Sequence, residues 1–227
     1  MMGSPSRFGA TRSILMVQFV TTAGVLGWVP GNGAKLIAMG AVWVLGFGRI
    51  AVGELALMAA VDALFVVMNV MALKRGIFAF NHPDFLGMPV YEFLMWGFYA
   101  LHTIRFLDGP GPRGHTIQAI AAAVVFALPF AMIAEPNPLL AASAAALAAA
   151  VALFHEKMDL AYACYMAVLG AVIEHVGVAT GQWHYPGQPG GGVPLWFITM
   201  WAGVGLFTRR LVLPVLARPT DGSAGFR

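Results

Sequence analysis

Eight runs of apolar residues, at 13–29, 35–50, 52–73, 89–107, 116–134, 139–154, 160–179 and 194–216, are separated only by Gly, Pro or charged breaks. Each is close to the roughly 20 residues a helix needs to cross a bilayer core, where it satisfies its own backbone polar groups. With 59% hydrophobic and 10% charged residues, the chain carries more apolar surface than a water-soluble domain of 227 residues can bury. The expected fold is all-α: a polytopic membrane protein of about eight transmembrane helices. The weakest break lies inside 35–73, where only Arg49, Gly53 and Glu54 punctuate a run nearly twice the length of one crossing.

The formal net charge of +3 does not point to nucleic acid, because the basic residues are scattered at helix ends and form no stripe. Their distribution reports topology. With eight spans, ten of the thirteen Lys and Arg fall on the side that holds both termini, and only Lys35, Lys74 and Arg75 on the other. The positive-inside rule then places both termini in the cytoplasm, as in a multi-pass protein of the cell's inner membrane. Arg105 and Arg210 read as topology anchors, Glu54 and Asp159 as helix caps, and 155–157 as a solvated turn. The lone Cys164 excludes an intramolecular disulfide and is expected to be buried.

Two stretches, GIFAFNHPDFLGMPVYEFLMW at 76–96 and GQWHYPGQPGGGVPLWFITMW at 181–201, superpose without a gap at an offset of 105. Gly76/Gly181, Gly87/Gly192, Pro89/Pro194, Trp96/Trp201 and Arg105/Arg210 are identical in phase, and Asn32/Asn137 extends the match toward the N-terminus. Agreement of Gly, Pro, Trp and Arg is hard to obtain from composition, so the reading is a duplication. Each copy holds four helices, an even number, which makes a parallel 4+4 repeat about an axis near the membrane normal. The expected units are 13–108 and 109–217, preceded by a cytoplasmic segment 1–12 and followed by a disordered cytoplasmic tail 218–227. Arg7 and Arg12 before an apolar run also resemble a signal peptide, with 31–34 as a cleavage region; the repeat, which pairs helix 1 with helix 5, argues for its retention.

An ionisable group at membrane depth is costly and needs a reason. Glu92 lies in the first turn of helix 4, Glu174 about one turn from the end of helix 7, and Asn69 in helix 3 is the repeat counterpart of Glu174. Asp62 is seven residues before Asn69, on the same helix face and deeper. His175 follows Glu174 and points elsewhere unless the helix unwinds. Structural alternatives stand beside each: Asn69 as interhelical glue, Glu92 as a helix-start charge, Asp62 as the partner of an arginine. Glu92 aligns with Phe197, so each copy keeps one carboxylate that the other lacks, and a site between them is asymmetric. Two carboxyls in an apolar pocket can divide the roles of general acid and cation stabiliser, which suits chemistry at a carbon-carbon double bond. Glu92, Glu174 and Asp62 are therefore the candidate catalytic residues, and Asn69, Trp96, Trp183, Tyr185 and His175 the candidate substrate-binding ones.

His82, Asp84 and His184 lack a diagnostic metal spacing, and no metal or organic cofactor is expected. No His boxes, P-loop, Gly-x-Gly-x-x-Gly at a strand-helix junction or Ser elbow is present.

The run EHVGVATGQWHYPGQPGGGVPLWFITMW, 174–201, resembles the signature of the CruF-type carotenoid hydratases through Glu174, Gly177, Val178, Thr180, Gly181, Tyr185, Gly192, Val193, Pro194 and Trp201. The first copy, 76–92, is similar instead to membrane lycopene cyclase domains, with a Gly-x-aromatic-x-aromatic loop leading to a Pro and an acid. The chain departs from both: it lacks a Pro-Phe-Gly insertion, and the cyclases' paired acids are reduced to Glu92 with Phe93 beside it. The resemblance implies chemistry on a long isoprenoid polyene, with Glu92 and Glu174 as acid or cation-stabilising groups.

The leading expectation is a membrane enzyme that hydrates, cyclises or isomerises an isoprenoid or carotenoid polyene, with membrane lipid and the lipophilic substrate as partners. A transporter or channel built from duplicated bundles is the alternative, and would show broken helices and polar groups through the full depth. The acids crowd toward one face and the cytoplasmic half reads as almost wholly apolar, which favours the enzyme. A third reading is an assembly protein whose Ala-rich helices 5 and 6 pack closely, in a homo-oligomer or with another protein.

Overall fold

The computed structural model describes residues 11–114, 116–188 and 192–216, so most of the segment 1–12 and all of the tail 218–227 lie outside it. The described chain is all-α apart from one small ribbon. Helices α1 (Arg12–Trp28), α2 (Asn32–Phe47), α3 (Val52–Lys74), α4 (Glu92–Leu107), α5 (Thr116–Met132), α6 (Pro136–Phe154), α7 (Lys157–Ala179) and α8 (Trp196–Phe207) follow in order. A π-helical stretch (Thr208–Val212) and a last turn α9 (Leu213–Leu216) continue α8. All eight apolar runs are helical, and the doubtful break in 35–73 is real: Gly48, at φ +60, stops α2 and Ala51 starts α3. Helix starts differ from the apolar runs where turns intervene. The Pro89 carbonyl accepts from Glu92 N at 3.1 Å and the Pro194 carbonyl from Phe197 N at 3.2 Å, so each proline makes a turn before its helix.

Three helices, Val52–Lys74, Pro136–Phe154 and Lys157–Ala179, are long and apolar enough to cross a membrane. Large apolar side chains such as Ile37, Leu45, Val67, Ile117 and Val168 point out of the bundle, the inverse of a soluble domain's surface. Cys164 is exposed among them, contrary to the expected burial. It lies on the outward face of α7, where an apolar thiol needs no protein cover.

The helices pack as neighbours in sequence, α1 on α2, α3 on α4, α5 on α6 and α7 on α8, while α1 and α4 also meet α7. At one end of the bundle, strands β1 (Ala79–Phe80) and β2 (Trp183–His184) pair antiparallel, with Ala79 opposite His184 and Phe80 opposite Trp183. Ala79 thus pairs with the residue 105 positions further on, the pattern a local two-fold axis would make. At the opposite end, Arg105 binds Glu54 at 2.7 Å, and Arg210 binds Asp159, its Nε at 2.9 Å from Oδ1. These two ion pairs are also separated by 105 positions at both members. Their near-complete burial corrects the reading of the arginines as anchors. Their guanidinium groups are internal struts that tie α4 to α3 and the extension of α8 to α7.

The core between these ends is aromatic. Phe65 stacks on Trp96 at 3.8 Å between centroids, Trp96 on Trp201 at 4.5 Å, and Trp43 on Phe98 at 4.7 Å. Gly170, the counterpart of Phe65, makes room on the far side: a Cβ there would sit 2.1 Å from Trp201 Cγ. Small residues at such crossings are how membrane helices approach closely.

Candidate functional site

Helix α7 brings Glu174 inward at its β-ribbon end, and the carboxyl meets three donors from other segments. Oε2 accepts from Trp183 Nε1 at 3.0 Å and from the Tyr185 hydroxyl at 2.7 Å, and Oε1 from Trp201 Nε1 at 3.2 Å. Glu92, the first residue of α4, uses one oxygen for two donors: Oε1 accepts from Asn69 Nδ2 at 3.0 Å and from Trp96 Nε1 at 3.2 Å. Among the described residues no hydrogen bond reaches its Oε2. Glu174 is buried and Glu92 half-buried. The two acids lie within electrostatic reach of each other, on either side of the stacked tryptophans.

Five of the residues singled out in the sequence, Glu92, Asn69, Trp96, Trp183 and Tyr185, thus gather with Glu174 in one cluster. Tyr99 adds its ring edge to Trp201 at 5.1 Å, and Trp196 meets Tyr185 edge-on at 6.0 Å. Burial and the neighbouring Glu174 push the Tyr185 phenol well above its ordinary range, which keeps it a hydrogen-bond donor. Asp62 lies within electrostatic reach of Glu92, yet its Oδ1 accepts from Gly97 N at 2.6 Å. A Cβ at position 97 would fall 2.5 Å from Asp62 Oδ2, so the carboxylate lies directly against the α4 backbone and accepts from it instead of pairing with an arginine. His175 stands apart. It is exposed, bonded to the Ala171 carbonyl at 2.7 Å and edge-on to Phe197 at 6.0 Å.

In the loops above the cluster, Asp84 accepts from Val90 N at 2.9 Å and from Asn32 Nδ2 at 2.8 Å, and His184 Nδ1 meets Asn81 Oδ1 at 2.7 Å. The Val90 contact is local, while the other two tie separate loops to one another. Among the described residues no group of His, Cys, Asp and Glu could hold a metal ion.

The far half of the core is not apolar, against the sequence reading. His102 on α4 is fully buried, with Nδ1 3.2 Å from Gln18 Oε1 and Nε2 2.6 Å from the Tyr165 hydroxyl. Gln18 spends its Nε2 on the Trp43 carbonyl at 3.2 Å, so its oxygen faces the imidazole, which then donates from Nδ1 and accepts from Tyr165. Three helices contribute to this triad, and no local spacing announces it. Glu156 is not part of the solvated turn that its position suggests; its oxygens take Arg209 at 2.7 Å and Arg210 at 2.9 Å. Although burial raises its pKa, the Arg209 hydrogen bond, the Arg113 N–H and the two arginine charges hold it below 4.5 overall.

Among the described residues, cavities lie away from the acid cluster. One, of about 80 Å³, is lined by Arg113, Thr116, Arg210 and Pro214; another is an apolar groove of about 320 Å³ between α5 and α6, lined by alanines with Val125, Gln118 and Leu153. The acid cluster is packed with side chains of its own. Chemically it offers one saturated carboxyl, one carboxyl with a free oxygen, and a wall of indole and phenol faces. Comparison with protein-family models, with curated proteins and with solved structures finds no match.

Proposed function

We propose that the chain is an integral-membrane enzyme that protonates a carbon-carbon double bond of an isoprenoid or carotenoid polyene, leading to hydration, cyclisation or isomerisation. The observation that carries the reading is that Glu92 and Glu174 share one aromatic cluster but are differently bonded. Glu92, half-buried and with Oε2 unengaged among the described residues, is the proton donor. Glu174, held by three donors, is fixed in place to stabilise a cation. The faces of Trp96, Trp201 and Tyr99 would stabilise a carbocation by their quadrupoles, as they do any cation held over a ring. Substrate enters by displacing rings of the cluster, from the side where Glu92 is open.

The architecture that goes with this function is a parallel 4+4 repeat of eight spans in the inner membrane, with both termini cytoplasmic. Support comes from the Ala79–His184 pairing, the Trp96–Trp201 stack and the two ion pairs, all related by the same offset. Against a transporter, the helices that carry the acids and Asn69 run unbroken, whereas transport sites are commonly built on discontinuous helices; the buried Gln18–His102–Tyr165 triad, which carries polar groups into the far half of the core, is the observation that favours transport instead.

A second reading, a membrane assembly protein, is favoured by the open alanine-lined groove between α5 and α6. The experiment is mass spectrometry of lipid and pigment extracts from a carotenoid-producing host that expresses the wild type, Glu92→Gln or Glu174→Gln. A product heavier by one water, or an isomer with altered retention, formed only with both acids intact, supports the enzyme. Unchanged extracts with all three proteins folded in the membrane would favour assembly.

A further inference from the structure

Lys35 lies one turn into α2, at the β-ribbon end of the bundle, and is only 4% exposed. A lysine at a helix end in lipid ordinarily extends its ammonium to water; this one is turned inward. Its Nζ donates to Gln182 Oε1 and lies 5.4 Å from the centroid of the Tyr91 ring. The Gln182 amide is fixed in that orientation because its Nε2 donates to the Thr180 carbonyl at 3.1 Å. Among the described residues no carboxylate forms an ion pair with Lys35. An ammonium has three donors, and one amide oxygen and one ring face do not neutralise a buried charge.

The position of this charge gives it a purpose. Tyr91 immediately precedes Glu92, and its phenol is within electrostatic reach of that acid and of Asp84, which is bonded to Asn32 at the start of α2 but forms no ion pair with Lys35. Gln182 immediately precedes Trp183, which binds Glu174. Both contacts of Lys35 are therefore residues next in the chain to members of the acid cluster, on its loop side.

We propose that Lys35 binds the oxyanion head of an amphiphilic substrate, an isoprenoid phosphate, whose unsaturated tail lies among the aromatic rings between Glu92 and Glu174. The identification rests on the enzyme reading above, and adds to it that the substrate is anionic at one end. A phosphate supplies the missing counter-charge and accepts the ammonium's remaining donors, while Tyr91 and Gln182 hold the lysine in place.

The test is a titration of the full chain in neutral detergent, followed by tryptophan fluorescence, with farnesyl phosphate, farnesol and dioleoyl phosphatidic acid. The wild type is expected to bind farnesyl phosphate at least about tenfold more tightly than farnesol, the order of one charge-assisted contact. That preference should vanish in Lys35→Met and persist in Lys35→Arg, and the wild type should bind farnesyl phosphate more tightly than phosphatidic acid. Equal binding of phosphate and alcohol by the wild type overturns the proposal even if Lys35→Met does not fold. So does a preference unchanged in Lys35→Met. Phosphatidic acid that binds as tightly as farnesyl phosphate makes the site a lipid headgroup site and overturns the substrate assignment. Failure here beside acid-dependent product formation removes the Lys35 site alone. An intact phosphate preference without any acid-dependent product removes the reaction and keeps the binding site.

Discussion

Trp96 and Trp201, 105 positions apart, stack at 4.5 Å and 20°, and each gives its indole N–H to a different glutamate at 3.2 Å. Trp96 donates to Glu92 on its own helix, Trp201 to Glu174 on the neighbouring one. The aromatic partners are equivalent and the acids are not. Two stacked tryptophans at one 105-residue offset thereby serve two different carboxyl environments.

Replacing either indole by phenyl separates donor from packing. Trp201→Phe leaves Glu174 with Trp183 and Tyr185, whereas Trp96→Phe leaves Glu92 with Asn69 alone. Each is expected to lower stability by about 1–3 kcal/mol, the cost of a lost hydrogen bond to a charged or buried group. Trp96→Phe should reduce product formation more. Thermal unfolding in detergent and product yield read the two effects; unchanged values for both variants would count against the indoles as positioning residues.

Gly170→Ala is expected to be severe. The new methyl would overlap the Trp201 ring, so α7 and α8 must separate or the indole must leave the stack. Overpacking of this kind typically costs about 1–3 kcal/mol, occasionally more. Gly40→Ala, with open space around position 40, is the control and should be neutral. A shift in tryptophan emission confined to Gly170→Ala checks the assignment.

The matched ion pairs offer a double-mutant comparison. Arg105→Met strands the Glu54 carboxylate in a buried setting and should cost about 3–5 kcal/mol, while Arg105→Met with Glu54→Leu should recover much of that loss. Glu54 also accepts from Ala51 N at 2.8 Å, so recovery is expected to be incomplete. Equal destabilisation by the single and double variants would show that the charges do not act as a pair.

How much of this was legible in the sequence varies with range. Helices were visible because each apolar run is continuous, and the meeting of Glu92, Asn69 and Glu174 followed from one offset and similar depth. The buried ion pairs were not visible, since an arginine at a helix end looks the same whether it anchors to lipid phosphate or turns inward to Glu54. The Gln18–His102–Tyr165 triad was hidden for another reason: its members come from α1, α4 and α7, and their counterparts Ala123, Phe207 and Ala60 are apolar. A repeat comparison could have flagged His102 as polar where its twin is not, yet no spacing rule would have supplied its partners.

Acidification should unlock the arginine end of the bundle. Glu156 is held below its ordinary 4.5 in the folded protein, so its contribution is fully present above that value and is lost as pH falls through the depressed one. Wild-type melting temperature should therefore drop below about pH 4.5, and Glu156→Gln should be less stable at neutral pH with a flatter acid limb. Parallel pH curves for the two proteins would exclude Glu156 from the linkage.

The most direct test of the central claim is proton delivery to carbon. The purified chain in lipid nanodiscs would be incubated in D₂O with an acyclic polyene, lycopene, and separately with an acyclic isoprenoid phosphate, geranylgeranyl phosphate, and the extracts read by mass spectrometry. A product carrying carbon-bound deuterium with the wild type, and none with Glu92→Gln, is the expected result. Product or recovered polyene free of carbon-bound deuterium in both, or equally labelled in both, would contradict Glu92 as the acid that protonates the double bond.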